Sequence, residues 1–509
     1  MDSTSKQIKY GAILSYLSIV LNVVAGLIYT PWMVKIIGQS DYGLYTLAYS
    51  LISLFLIDFG LSSATARYVS KYHAEGNEKK VNDFLGVIYK LYFAIDAIIF
   101  VILLVVFLLM DNIFVNLTLN ELRRFKVVFV IAGAFSIINF PFITLNGILT
   151  AYEEFVHQKL ADVIYRILLV AFMIIALLSG GGLYALVLVN AIVGLIIVGY
   201  KLVVIRVKIP ININFKHNDS KMYRDLFGFS MWTTVSSLAQ RLVFSITPSI
   251  LGIVSNSAEI AIFGIISTIE GYVFTFTTAI NGMFMPTISR AYNRENPEEE
   301  LFPLFLGVGK FQYGLNGLMI AGFFVVGNQF VQLWMGQGYE MAYYGILLTI
   351  IPGLFYNSLQ IANTALVVTN RVNYQAYVNM VMGVVNVILA FIFGKKLGVL
   401  GACISIFISF MIRNVLLNFI HFRVLKLDIP RFIKECYFRM SLPIIITILF
   451  GTLLNKIFMP KGWFDLMFRG VLVIIVFSLL LYTLGINCED REKIKQFIQK
   501  ITMYLEKLT

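Results

Sequence analysis

Charged side chains inside long apolar stretches are the residues of this sequence that could do chemistry. In the second half of the chain they are Arg241, Lys310, Glu270 and Arg413. Because a charge inside a membrane is costly, such residues commonly mark the path of a substrate or an ion. Arg241 and Lys310 lie deep in their stretches and are candidates to bind an anion, with Glu270 as a further site residue or a structural ion-pair partner. Arg413 is nearer the end of its stretch, from where it could also extend to the membrane surface.

Acidic residues dominate the corresponding set in the first half. Asp58 and Asp96 have no partner nearby in sequence, so either is a candidate to bind a coupling proton or Na⁺, because a desolvated carboxylate takes up a proton more readily. Asp162 is a third candidate, although Arg166 follows it by one helical turn and could neutralise it. Arg67 lies where a stretch ends and could steer a substrate or anchor the helix.

The amino-acid composition indicates the environment in which these residues act. Hydrophobic residues make up 59% of the 509 residues and charged residues 13%, against about 25% charged in soluble proteins. Mean hydropathy is +0.83, which indicates a polytopic membrane protein. The net charge of +12 then fits basic cytoplasmic loops and not a nucleic-acid partner. Three cysteines without paired spacing predict no disulfide, and no metal or cofactor is expected.

The apolar stretches predict an all-α membrane protein, because a helix needs about 20 apolar residues to cross a bilayer and these stretches lack the alternation of a barrel. We predict about 14 transmembrane helices from the same length criterion. Their ranges are 11–30, 41–66, 84–110, 127–150, 160–179, 183–200, 226–254, 258–289, 301–327, 341–369, 374–394, 398–422, 438–459 and 463–485. Most loop Lys and Arg fall on one side, which places both termini in the cytoplasm.

An internal repeat organises these helices. Thr30-Pro31 near the end of the first helix matches Thr247-Pro248 near the end of the seventh, and an acidic residue, Asp41 or Glu259, opens the helix that follows each. Two six-helix lobes with parallel topology are expected, residues 1–210 and 211–425, with an additional helix pair and tail at 426–509. Pro31 and Pro248 each remove a backbone donor, so these helices are candidates to bend during transport or simply to be kinked.

The opening of the chain resembles a known family. The residues that carry the likeness are Gly38-Gln-Ser-Asp41-Tyr-Gly43-Leu-Tyr45 and Asp58-Phe-Gly60-Leu, followed by Arg67-Tyr-Val-Ser-Lys. They resemble the Wzx-type oligosaccharide (O-unit) flippases of the MOP superfamily, which also includes MATE antiporters and lipid II flippases. The added helix pair resembles that of the lipid II flippases, where such a pair forms a groove for the lipid tail.

The resemblance implies a function. Such flippases move an undecaprenyl-pyrophosphate-linked oligosaccharide, a polysaccharide repeat unit such as that of O-antigen in lipopolysaccharide, from the cytoplasmic to the outer leaflet of the bacterial cytoplasmic membrane by alternating access. It also implies membrane lipids and a polysaccharide polymerase of the same pathway as partners.

Other functions remain open to different degrees. A MATE-like multidrug antiporter would share the fold and the repeat, although cations deep in the helices disfavour cationic drugs. A membrane polymerase is disfavoured because the outward loops are short, and no GxxxxGK[ST] loop for ATP hydrolysis is present. We therefore expect a transporter and not an enzyme.

Overall fold

The computed structural model describes residues 3–279, 281–292, 294, 297–458 and 461–485. Within these ranges the chain is almost entirely helical and no β-strand occurs. Helices satisfy their backbone hydrogen bonds internally, which is what a hydrocarbon environment demands. The predicted all-α membrane fold is confirmed. The C-terminal tail from residue 486, whose cytoplasmic location the sequence predicts, lies outside the described residues.

The α-helices of the described chain follow in this order: α1 Ser3–Ile37, α2 Gln39–Phe55, α3 Leu61–Ala74, α4 Glu78–Ile113, α5 Leu119–Asn139, α6 Thr144–Ala151, α7 Phe155–Leu178, α8 Gly182–Lys208, α9 Ser220–Phe244, α10 Thr247–Val254, α11 Ser257–Thr278, α12 Met285–Ala291, α13 Pro297–Met335, α14 Glu340–Ser358, α15 Gln360–Val368, α16 Val372–Val424, α17 Ile429–Phe432, α18 Arg439–Ile457 and α19 Gly462–Leu480.

Eleven segments of the described chain are long and apolar enough to cross a membrane. The number becomes twelve if α14 and α15, which meet at a 49° bend, form one span. Two features account for the difference from the expected number. The predicted span 41–66 is divided into α2 and α3, and α2 alone has only 17 residues. The predicted spans 374–394 and 398–422 run together as α16. The count of 14 stays a prediction.

Helix α16 has 53 residues, which at 1.5 Å per residue would extend about 80 Å, far beyond the thickness of a bilayer. Gly398 interrupts it with φ 58° and ψ −136°, a backbone conformation that only glycine adopts readily. A side chain there would also collide with the Glu259 carboxylate, which accepts a hydrogen bond from the Val399 backbone N–H. The glycine therefore separates two helical segments.

The chain forms two compact units. Unit 1 contains Met1–Ile265 and Ala376–Ser405, and unit 2 contains Ile266–Gln375 and Ile406–Thr509. The lobe boundaries predicted at residues 210 and 425 stay a prediction.

Small residues permit close helix contacts in unit 1. Helix α6 packs against α3 through Gly147, where an added Cβ would collide with the Ser62 carbonyl oxygen and lie 2.8 Å from Thr65 Cβ. Thr65 and the neighbouring Ala64 are fully buried. Small residues at helix contacts are typical of membrane proteins, whose helices attract each other mainly by close packing.

The two helices that the predicted repeat relates, α2 and α11, begin side by side in unit 1. Asp41 and Glu259 are each the third residue of their helix, α2 and α11. The hydroxyls of Ser40 and Ser257 lie 2.6 and 2.5 Å from one carboxylate oxygen of Glu121, at the start of α5. One acidic side chain thus joins the starts of both helices.

In unit 2 the first turns of α19 carry two charged residues, Asp465 and Arg469. Their hydrogen bonds explain how the helix accommodates these charges. The guanidinium of Arg469, 3% exposed, donates to Asp465 Oδ2 at 2.8 Å and to Asn455 Oδ1 at 2.5 Å. It also donates to the Phe458 carbonyl oxygen at 2.9 Å. Arg469 therefore fastens α19 to the end of α18.

The two prolines of the repeat occupy different positions in their helices. Pro31 lies inside the continuous helix α1. Pro248 lies in the first turn of α10, just after α9 ends at Phe244, where its missing N–H leaves no helical bond unmade. Pro248 thus marks a break in the predicted seventh span, and bending of either helix during transport stays a prediction.

Candidate functional site

The predicted second span, residues 41–66, is interrupted in its last third. Helix α2 ends at Phe55 and α3 begins at Leu61. Phe59 and Gly60 between them have positive φ values of 53° and 68°, which turns the chain out of the helical path. A break leaves carbonyl groups at the end of one helix and N–H groups at the start of the next without intrahelical partners. In a membrane interior these groups need partners from the protein itself.

Arg241 of α9 supplies the donors. Its Nη2 donates to the Leu56 carbonyl oxygen at 3.0 Å, and its Nη1 donates to the Ser53 carbonyl oxygen. Both acceptors belong to the last turn of α2 or follow it directly. The side chain is half-buried. Arg241, selected from the sequence as an anion-binding residue, therefore holds the end of α2 in unit 1.

Asp58 contacts the other side of the break, the start of α3. One of its carboxylate oxygens accepts from the Ser62 backbone N–H at 3.2 Å, in the first turn of α3, and the other accepts from the Tyr92 hydroxyl. Asp58 and Arg241 also attract each other electrostatically. We call Ser53, Leu56, Asp58, Tyr92 and Arg241 the broken-helix site. It combines a candidate from each half of the sequence and adds Tyr92, which sequence reasoning missed.

Asp96 lies one helical turn beyond Tyr92 on the same face of α4. It is half-buried, and its Oδ1 is shielded from solvent without a hydrogen-bond partner among the described residues. A carboxylate in such surroundings is costly, and binding a proton or a cation would lower the cost. The geometry at Asp96 is therefore compatible with the ion-binding role predicted from the sequence.

Asp162 lies in a different part of unit 1. Its nearest ion-pair partner is Lys159, at 3.5 Å, and not Arg166, whose guanidinium lies 5.7 Å from the Tyr165 ring. The predicted neutralisation of Asp162 by Arg166 is therefore wrong. Asp162 lines a cavity of about 240 Å³ together with Lys201. Sequence analysis missed Lys201, because it directly follows a predicted span and reads as an ordinary loop charge.

Three further residues selected from the sequence, Arg413, Lys310 and Glu270, lie on helical segments of unit 2. Arg413 is 2% exposed, and its guanidinium lies 3.9 Å from the centre of the Tyr356 ring, a cation–π geometry. It does not extend to the surface, so that alternative is wrong. Lys310 on α13 is half-buried and near the Cys436 thiol. Glu270 on α11 is half-buried as well. The substrate-binding roles of these three residues stay predictions.

Arg67 lies on α3 in unit 1. It is exposed, with its guanidinium 5.9 Å from the centre of the Tyr68 ring. The structure leaves both of its proposed roles, steering a substrate and anchoring the helix, as predictions.

These features define a class: an all-α membrane protein with a charged group held between α2 and α3, where the predicted second span is interrupted. The chain belongs to the polysaccharide biosynthesis protein family, whose family model matches residues 8–292. The resemblance seen in its opening residues is thereby confirmed. A search of curated proteins finds no match by sequence.

Solved structures show the same fold. The chain is similar to the lipid II flippase MurJ in an inward closed conformation, with a TM-score of 0.69 at 15% identity over 93% of this chain and 98% of that one. It is also similar to an inward-facing MATE family multidrug resistance transporter of the MOP superfamily, with a TM-score of 0.68 at 15% identity over 83% and 99%. A MOP superfamily transporter from Pyrococcus furiosus gives 0.58 at 13% identity over 81% and 94%. The fold is that of flippases and transporters.

Proposed function

We propose that this protein is a flippase that carries a lipid-linked oligosaccharide, attached to undecaprenyl pyrophosphate, from the cytoplasmic to the outer leaflet by alternating access. Membership of the polysaccharide biosynthesis family supports the substrate class, and the fold shared with a lipid II flippase supports the activity. The membrane is the bacterial cytoplasmic membrane, with both chain termini in the cytoplasm. A polysaccharide polymerase of the same pathway is the expected protein partner.

The single observation that carries the proposal is the broken-helix site. A lipid-linked sugar can leave its long tail in lipid, but its pyrophosphate and hydroxyl groups must cross the hydrocarbon. Unpaired ions there cost several kcal/mol even after relaxation, so the protein must provide fixed polar groups along the path. Arg241 is such a group within a predicted span, and it has donors beyond the two nitrogens that the α2 carbonyls engage.

The other proposed substrate and ion contacts extend this path. Lys310, Glu270 and Arg413 would act in unit 2, and Arg67 at the cytoplasmic end of the predicted second span. For coupling to a proton or Na⁺, Asp96 is a better candidate than Asp58. Both oxygens of Asp58 already have donors, while Oδ1 of Asp96 has none in the described part of the chain.

A MATE-like multidrug antiporter is the second candidate, favoured by the similarity to a MATE transporter over 83% of this chain. Fold likeness alone does not distinguish it from a flippase, since the two share the superfamily. The cations named above disfavour cationic drugs as substrates.

The experiment uses purified protein in vesicles that contain undecaprenyl-pyrophosphate-linked oligosaccharide. We expect protein-dependent appearance of the sugar at the opposite leaflet, and its loss by at least tenfold in Arg241→Ala. Arg206→Ala is the matched control, because Arg206 is exposed in the last turn of α8. Drug efflux without flipping, under a proton or a Na⁺ gradient, would contradict the proposal and favour the antiporter.

A further inference from the structure

A partly open cavity of about 240 Å³ lies within unit 1, between the end of α5, α6 and the helices α7 and α8. Its polar lining consists of Asn139, Asn146, Asp162, Tyr165 and Lys201. The broken-helix site does not include any of these residues, and the proposed path does not use them. The cavity has room for several water molecules, each of which takes about 30 Å³ in the liquid.

The charges of the lining balance. Asp162 and Lys201 are close enough to attract each other, and Lys201 Nζ donates to Asn146 Oδ1 at 2.8 Å. A bare cation would meet Lys201 and a bare anion would meet Asp162, which also pairs with Lys159 outside the lining, so the lining favours neither. Binding of a coupling ion at Asp162 stays a prediction. No group of three or more metal-binding acids, histidines or cysteines occurs among the described residues, here or elsewhere. The lining fits a neutral ligand rich in both donors and acceptors.

Aromatic rings complete the lining. Phe135 and Phe142 border the cavity with Tyr165. The Tyr165 ring is held in place because its hydroxyl donates to Asn190 Oδ1 at 3.1 Å. A few fixed polar groups among aromatic walls is the usual composition of a ligand pocket. A sugar ring presents hydroxyl groups at its edge and C–H groups on its faces, and so matches amides, charges and aromatic rings together.

Asn139 is the residue most open to a ligand. Its amide forms no hydrogen bond within the described part of the chain, although it has two donors and an acceptor. It also does not cap the short turn that follows α5. Its side chain is therefore dispensable for the local fold and available to a ligand.

We infer that this cavity is a subsite of monosaccharide size for a sugar of the lipid-linked substrate. The inference rests on the proposed flippase function and deepens it. The pyrophosphate would be handled by the cations already described, while the N-terminal unit would recognise the saccharide. The side chains that would contact the sugar are Asn139, Asn146, Asp162 and Lys201.

The test compares three lipids in vesicles: bare undecaprenyl pyrophosphate, the same lipid with one N-acetylglucosamine, and the same lipid with one galactose. We expect the native protein to flip at least one sugar-bearing lipid faster than the bare lipid. Asn139→Ala is expected to reduce that rate roughly tenfold, as the loss of one or two hydrogen bonds would, and to leave the bare lipid unaffected. Lys201→Met is a second variant, and Asn328→Ala, at an exposed position, is the matched control.

Each other outcome decides the matter. If the native protein flips all three lipids at one rate, or Asn139→Ala slows all of them equally or none of them, the sugar subsite is wrong while the flippase function stands. If no lipid is flipped, the proposed function itself fails. A last comparison uses the native protein in vesicles with and without phosphatidylethanolamine. If removing this lipid slows flipping of the sugar-bearing lipids as much as Asn139→Ala does, the cavity binds a lipid headgroup and not a sugar.

Discussion

Tyr92 shows how a single hydroxyl can support a charged group in the membrane. It is fully buried, and its hydroxyl donates to the Asp58 carboxylate. We expect Tyr92→Phe to lower the free energy of unfolding by about 1–2 kcal/mol, because the half-buried Asp58 carboxylate loses a donor. Thermal unfolding of the purified protein in detergent measures this. Tyr89→Phe is the control on the same helix, since the Tyr89 hydroxyl forms no hydrogen bond within the described ranges; an equal loss in both variants would contradict the expectation.

Asp96 gives the second prediction at this scale. If its unsatisfied oxygen binds the coupling ion, Asp96→Asn removes the response of transport to an imposed proton or Na⁺ gradient, because the amide does not titrate. The rate with and without the gradient is the measurement, and the two rates should become equal in the variant. Asp111→Asn should keep the response, because Asp111 is exposed and paired with Lys126 at 2.6 Å. A gradient response that persists in Asp96→Asn would remove Asp96 from the coupling mechanism.

At the scale of the helices, two helical glycines in different surroundings should respond in opposite ways to the same substitution. Gly147 touches α3 closely, whereas Gly199 on α8 has open space around its Cβ position. Alanine is the better helix former by about 1 kcal/mol. Gly199→Ala should therefore leave stability unchanged or raise it, while Gly147→Ala should lower it, because the α3 backbone must move. Unfolding temperatures of the two variants are the test. A stabilised Gly147→Ala would mean that α3 and α6 lie farther apart than the distances at Gly147 indicate.

The sequence predicted most helices but not the break at residues 56–60. The apolar run around Asp58 reads as one span, and Gly60 was a signal that could have been used, since glycine is common where a helix must stop. The contacts that stabilise the break were not predictable. Arg241 reaches backbone atoms 185 or more positions away, and a backbone acceptor leaves no mark on the sequence.

Charges at helix ends were the other source of error. Helical spacing offers Asp162 two cations on its own helix, Lys159 and Arg166, and the structure pairs it with Lys159. Its position beside Lys201 at the cavity depends on the next helix. Local spacing identifies possible neighbours on one helix and says nothing about a neighbour on the next helix. The same limit applies to Arg413, whose aromatic partner Tyr356 comes from another helix.

At the scale of the whole molecule, we expect the predicted additional helix pair, α18 and α19, to depend on the buried cation of Arg469. Arg469→Met should destabilise the contact between α18 and α19 by about 1–3 kcal/mol, because Asn455 Oδ1 and the Phe458 carbonyl oxygen would lose their donor. Limited proteolysis near residue 461, together with thermal unfolding, would report the loss. Lys461→Ala is the control, since its exposed side chain is not part of the network. Unchanged proteolysis in Arg469→Met would show that the helix pair is held by its apolar contacts.

The contact between Arg241 and the end of α2 also has an evolutionary consequence. Its acceptors are the carbonyl oxygens of residues 53 and 56, which every amino acid provides. Selection on this contact therefore acts on position 241 alone, and the two facing positions can vary without breaking it. Methods that infer proximity from correlated substitutions would not detect the contact of Arg241 with residues 53 and 56. Among relatives, we expect arginine to be invariant at position 241 while the residue types at positions 53 and 56 vary.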